Sequence, residues 1–162
     1  GAIRKAILTA LPYLEARFLH EDKEEVVPEL NVTGRHLLQT MGHEWGRMRN
    51  HTNIWIMALE KELEIMKVDH RKVVIDDVRY DNEIDWIKSK GGYIIGVERP
   101  FVGGEEQQSW REHPSEAGVD VNKIDEWISN ISPYTTDLEF ATRNVMNRLF
   151  DPELAEASCY LR

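Results

Sequence analysis

Two acidic residues and an arginine, Asp76, Asp77 and Arg79, follow an apolar run, Val73, Val74 and Ile75, in the stretch KVVIDDVRYDNE from Lys72 to Glu83. A β-branched, continuously apolar run fits a buried parallel strand, and in open α/β sheets chemistry sits just past the carboxyl ends of such strands. Asp77 and Arg79 are therefore candidate site residues. The competing reading is that Asp76 and Asp77 open a surface turn and cap the next helix. A second set, Arg35, Gln39, Glu44 and Arg47, recurs at about one-turn steps of a helical pattern, so that several could project into one cleft. Its plainer alternative is a solvated face carrying an Arg–Glu pair. These residue types suit phosphate: a carboxylate at a strand end can organise Mg²⁺ through water, and Arg79, Arg35 and Arg47 can grip phosphate oxygens bidentately.

Other chemistries fit less well. Cys159 lies in a terminal segment with no histidine near it in sequence, which disfavours a nucleophilic thiol. His36 and His43 stand two helical turns apart, but no second ligand pair with zinc spacing follows. A metal nuclease would place Glu-x-Lys on the strand after Asp77; Glu98 is followed by Arg99-Pro100, without the lysine. Phosphoryl transfer from ATP asks for a cradle of the form G-x-x-x-x-G-K-[ST], and the sequence contains none.

The 162 residues suffice for one domain, with 41% hydrophobic and 30% charged residues. A net charge of −9 disfavours a duplex-binding surface, while leaving room for a local arginine cluster around a small anion. One cysteine permits no intrachain disulfide, making a reducing cytoplasmic setting the default expectation. No apolar run approaches the ~18 residues of a membrane span, and no signal peptide is visible. The first residue is Gly1 rather than Met, which hints at processing or trimming.

Apolar spacing predicts a first helix over Ala2 to Ala10, interrupted by Pro12, then a charged surface loop from Glu21 to Glu29. A helix from Thr33 to Arg49 has Thr33 as N-cap and two glycines, Gly42 and Gly46, which hint at close approach by a backbone or ligand. Asn53 to Lys67 predicts an amphipathic helix with Ile54, Met57, Ala58, Leu63 and Met66 inward. The strand at Val73, a helix over Asn82 to Lys90 closed by Gly91-Gly92, and a strand over Tyr93 to Val97 form a βαβ unit, so those two strands should pair in parallel. Phe101 to Val121 reads as a long loop or lid, and Ile124 to Ile131 as a short strand or turn. Thr136 and Glu139 suggest a capping box opening a helix through Phe150, with Leu138, Val145, Met146 and Leu149 inward.

The order of motifs resembles the deoxynucleoside monophosphate kinases of tailed bacteriophages: GRHLLQTMGHEWGR (Gly34 to Arg47), NIW (Asn53 to Trp55), VVIDDVRYDNE (Val73 to Glu83), GGYIIGVERP (Gly91 to Pro100), HPSE (His113 to Glu116) and the Asn130 segment. The resemblance runs from about Ile3 to Phe150. It implies a P-loop kinase-like α/β fold, a parallel sheet flanked by helices, as one domain over residues 1–162. Residues 33–67 would be its monophosphate-binding part and 72–150 its core, lid-like loop and last helix. The implied activity is transfer of the γ-phosphate of ATP to a deoxynucleoside monophosphate with Mg²⁺, in the host cytoplasm, by a protein that could form a homodimer. Carried over by motif, Arg35, Gln39, Glu44 and Arg47 line the monophosphate site, Asp77 lies near the metal, and Arg79 contacts phosphate. His113, Glu116 and Asn130 belong to lid or nucleoside-facing segments. His43 stands where the family commonly has threonine, and the first strand, P-loop and helix of the family are missing before Gly1. Either the natural protein continues upstream, or the chain is a remnant that binds nucleotide or protein without catalysing transfer.

Overall fold

A helix forms where Ile3, Ile7, Leu8 and Leu11 line one side of the N-terminal segment, and α1 (Ala2–Ala10) stops at Leu11, just before Pro12. The computed structural model describes residues 1–67, 73–99, 113–114 and 118–150. It divides into two compact units, Gly1–Glu83 with Ser109–Gly118, and Ile84–Gln108 with Val119–Arg162. The fold is α/β, with short antiparallel and parallel strand pairs flanked by helices. No helix among the described residues is long and apolar enough to cross a membrane.

The core of the first unit is built from Ile7, Leu14, Phe18, Leu19 and Val27, with Leu37, Leu38 and Met41 packed against it. Val27 corrects the reading of Glu21 to Glu29 as a surface loop. It lies in β1 (Val26–Val27), antiparallel to β2 (Val32–Thr33), and is only 1% exposed. A two-residue strand is too short to show alternation within a charged segment. Thr33 does cap the next helix, accepting the His36 N–H at 3.1 Å, and α2 spans Gly34–Gln39. From Thr40 to Asn50 the helix widens to π geometry, a rare form recurrent at functional sites. The Trp55 indole explains Gly46, where a Cβ would sit 2.6 Å from its Nε1, which donates to the Gly42 carbonyl at 2.7 Å; a Cβ on Gly42 would instead meet Ile3 Cδ1 of α1 at 3.1 Å. At Gly46 the close approach is thus by a side chain of the next helix, α3 (Ile54–Met66). Within α3 the buried residues are Ile56 and Leu63, whereas Met57 and Met66, expected inward, are 45% and 63% exposed. Its first two turns are apolar nearly all round, so periodicity does not single out the inner face.

The second unit takes over within α4 (Asp81–Ser89), after its first turn. Gly91 adopts a left-handed φ of 76°; its N–H reaches the Lys88 carbonyl at 2.9 Å and that of Gly92 the Ile87 carbonyl at 3.0 Å, a Schellman closure. β3 (Ile95–Glu98) then pairs in parallel with β4 (Glu126–Ser129), Ile95 facing Glu126 in register. That pairing corrects the expected βαβ unit. Residues 73–75 belong to no strand or helix among the described residues, and Val74 is 87% exposed between half-buried Val73 and Ile75. A run of branched apolar residues favours extended backbone, yet burial on both faces requires neighbours that such a run cannot specify. The parallel partner of β3 instead comes from a segment whose sequence signals only a short strand or turn. The last helix, α5 (Thr135–Phe150), starts one residue before the expected cap. Ser132 braces the entry there, donating to Asp137 at 2.5 Å and accepting the Tyr134 N–H at 3.2 Å. Among the described residues Ile84, Ile94, Ile128 and Val145 are the buried apolar side chains of this unit, while Met146, expected inward, is exposed.

Candidate functional site

Arg47 lies in the π-helical segment and is 7% exposed. Its guanidinium is engaged on several sides. One nitrogen donates to the Thr52 carbonyl at 2.8 Å and to Asn82 Oδ1 at 3.2 Å, the other pairs with Glu83 Oε1, and the group lies 3.8 Å over the centre of the Tyr80 ring. Glu83 turns its second oxygen to the chain just before α4, accepting the backbone N–H groups of Arg79 at 2.9 Å and Tyr80 at 3.2 Å. A glutamate three residues into a helix that reaches back to its entry is one half of a capping box. The same carboxylate therefore caps α4 and neutralises a buried cation.

One turn earlier the π segment carries His43 and Glu44. His43 Nδ1 is 3.0 Å from the Tyr80 hydroxyl, and the two rings lie nearly parallel with centroids 5.9 Å apart. His113 meets His43 edge-on at 5.1 Å and puts its Nε2 2.9 Å from Glu44 Oε1. Glu44 Oε2 is buried and accepts no hydrogen bond among the described residues. Burial pushes the Glu44 carboxyl up, but the His113 hydrogen bond and a backbone N–H outweigh it, holding the group below the usual carboxylate range. Burial, with His113 and Arg47 adding repulsion against only the attraction of Glu44, keeps His43 below the ordinary histidine value.

Asp77 and Arg79 lie on the chain entering α4. Arg79 Nε donates to Asp77 Oδ1 at 2.6 Å, and the pair is open, with the arginine and aspartate side chains 36% and 64% exposed. The structure thus brings together Asp77 with Arg79 and Glu44 with His113, all in the first unit. Arg35, at the start of α2, pairs with Glu24 through both Nε, at 2.6 Å, and a terminal nitrogen. Gln39 ends α2, half-buried. Asn130 follows β4 in the second unit, where its N–H donates to the Glu98 carbonyl at 2.8 Å. Glu116 and most of the lid-like loop lie outside the described residues. Among the described residues no group of three potential ligating side chains could enclose a metal ion. The exposed Asp77 carboxylate fits the looser mode of Mg²⁺, held by one or two carboxylates with water and substrate phosphates supplying the rest.

Tyr80, Asn82 and Glu83 are not singled out by sequence reasoning, although all three lie within KVVIDDVRYDNE. The position of Glu83 in the third helical residue was the available signal; its buried partner, thirty-six residues earlier, was not.

A family model described as deoxynucleotide monophosphate kinase matches residues 13–136. The chain is 28% identical over 149 residues to a protein of Escherichia phage T5 named "Deoxynucleoside-5'-monophosphate kinase", a match covering 87% of this chain and 59% of that one. It is 40% identical over 67 residues to a protein of Acanthamoeba polyphaga mimivirus named "Putative deoxynucleotide monophosphate kinase", covering 41% of this chain and 30% of that one. The chain thus spans about three-fifths of the length of the phage relative. No solved structure matches it significantly.

Proposed function

The chain belongs to the deoxynucleotide monophosphate kinase family, and from that premise we propose that it is a nucleotide-binding protein whose ligand is a deoxynucleoside monophosphate. The observation that carries this reading is the contrast between Arg79 and Arg47. Arg79 is paired with an exposed aspartate, and an exposed pair of that kind is worth about 0–1 kcal/mol. A charge-assisted hydrogen bond to phosphate contributes ~1.5–3 kcal/mol and can be bidentate. A monophosphate that draws Arg79 away from Asp77 therefore gives up little in that one pair. Withdrawing Arg47 would leave Glu83 without its buried partner, so it is the wrong arginine to lend. Arg35 and Gln39 would join Arg79 around the ligand, and Glu44, held by His113, would offer its unpartnered oxygen to a ligand N–H. Glu116 stands as a nucleoside-facing residue on the same reading.

A second reading is favoured by the carboxylate beside Arg79 and by the kinase names of both relatives. On it, an oxygen of the bound monophosphate attacks the γ-phosphorus of ATP, the bond to the bridging β-phosphate oxygen breaks, and a deoxynucleoside diphosphate and ADP result. Mg²⁺, when bound, neutralises charge on the phosphate oxygens. Asp77 would hold it through water, and Arg79 would keep the acceptor phosphate in line. This reading also takes the fold as P-loop kinase-like.

Calorimetric titration with the four deoxynucleoside monophosphates and their unphosphorylated deoxynucleosides tests the first reading. At least one monophosphate should bind, and more tightly than its deoxynucleoside; equal affinity for the two, or none, overturns it. Coupled ADP release with the same panel and ATP decides the second, since no turnover with any acceptor removes catalysis by this chain.

A further inference from the structure

We propose that Glu83 and Arg47 are positioning residues for phosphate recognition: they fix the turn that presents Arg79 and Asp77 together, without touching the ligand themselves. The inference rests on the monophosphate reading above and adds two residues with a defined role.

The turn from Asp76 to Tyr80 has no strand or helix of its own to hold it. Its amides at Arg79 and Tyr80 both donate to one oxygen of Glu83. Those donors are therefore already satisfied, and recognition of an anion falls to the Arg79 side chain. The other Glu83 oxygen is tied to Arg47, which is itself fixed by the Thr52 carbonyl, by Asn82 and by the Tyr80 ring. Asn82 extends the lock by donating to Asn53 Oδ1 at 2.7 Å, so the entry to α4 is fastened to the start of α3. A side chain held this way cannot swing its neighbour. The consequence falls on Arg79, whose backbone nitrogen is pinned while its guanidinium stays half-open beside Asp77. Phosphate binding depends steeply on such placement, because a fork geometry must meet two oxygens at once.

The test is a double-mutant cycle read by calorimetry with a deoxynucleoside monophosphate. Glu83→Gln keeps the shape and removes the charge, and should weaken monophosphate binding about tenfold, the scale of one charge-assisted hydrogen bond. Binding of the unphosphorylated deoxynucleoside should not change. In an Arg79→Ala background the same substitution should have no further effect, whereas a purely structural role would weaken both backgrounds or neither. Wild-type affinity in Glu83→Gln, or losses that multiply with Arg79→Ala, overturn the proposal. Should Glu83→Gln fail to fold, Arg47→Lys takes its place in the cycle, retaining a charge but losing the fork. Amide exchange in the ligand-free protein separates the two levels of inference. Faster exchange at Arg79 and Tyr80 in the variant supports the clamp, and unchanged exchange overturns it. Wild type that binds no monophosphate removes the reading beneath, and the positioning role with it, even where the exchange result is positive.

Discussion

Arg47 and Arg148 each pair with a glutamate, but the two units of the molecule put those pairs to different use. In the first unit the Arg47–Glu83 pair is nearly out of water, with side chains 6% and 20% exposed, and it accepts from or donates to four other groups. In the second unit Arg148 and Glu126 form a bidentate pair, at 3.1 and 2.9 Å, that links α5 to β4 in partial contact with solvent. A buried ion pair contributes little net stability against an apolar substitute, yet breaking it from one side is costly because the survivor stays buried and charged. The first unit therefore encloses an ion pair beside its apolar core, whereas the second leaves its Arg–Glu pair partly in solvent. Arg47→Ala should expose this most strongly, with a loss of about 3–5 kcal/mol in chemical denaturation. Replacing both partners, Arg47→Met with Glu83→Gln, which removes both charges but keeps an acceptor for the Arg79 and Tyr80 N–H groups, should recover much of that loss; a double variant as unstable as the single would break the comparison.

The second unit should be most sensitive in its backbone. Gly91 holds a left-handed conformation, and no neighbouring atom lies within 4 Å of the point where a Cβ would stand, so Gly91→Ala isolates the conformational cost. Thermal melting should show a loss of about 1–2 kcal/mol. A neutral outcome would mean that the Schellman closure of α4 is dispensable to β3.

Titration separates the units again. The folded first unit keeps His43 below its ordinary value, so the unfolded chain takes up the proton first as pH falls. The associated stability is full above the unfolded histidine value of about 6.5 and is lost as pH falls through the folded value. Glu44, also lowered, adds loss of the same sign at more acid pH. In the second unit the groups held low are carboxylates. Burial raises Asp125, but Lys88 and the Ile94 N–H outweigh it; Arg148 lowers Glu126. Between roughly pH 7.5 and 5, denaturation midpoints should therefore fall with pH, and His43→Gln should flatten that fall. Equal slopes in the two proteins would remove His43 from the account.

The same contrast governs what the sequence could reveal. α1, the Thr33 cap, the Gly91-Gly92 stop and the segment that became β4 were legible because each depends on neighbours a few residues away. Asp77 and Arg79 were found together for the same reason, being two residues apart. What escaped required distant partners: the strand paired with β3, the inner face of α3, and the Glu83 partner of Arg47. Helical spacing placed Arg47 with Arg35, Gln39 and Glu44, and no local rule shows that Arg47 would be enclosed by Thr52, Asn82 and Glu83. Burial and bond geometry exist only once the chain has folded.

Arg148→Ala supplies the smallest expected effect and the control for the rest. Its partner Glu126 would return to water on losing it, since the carboxylate is already 28% exposed and needs only a local rearrangement to be solvated. The bidentate geometry argues for the upper part of the surface-pair range, and the exposure argues for screening, so a loss of about 0.2–1 kcal/mol is expected. That loss should shrink further in high salt, whereas the Arg47→Ala loss should not, because solvent ions do not enter a pair this closed. Equal salt sensitivity of the two variants, measured by denaturation at low and high ionic strength, would show that burial does not separate these pairs after all.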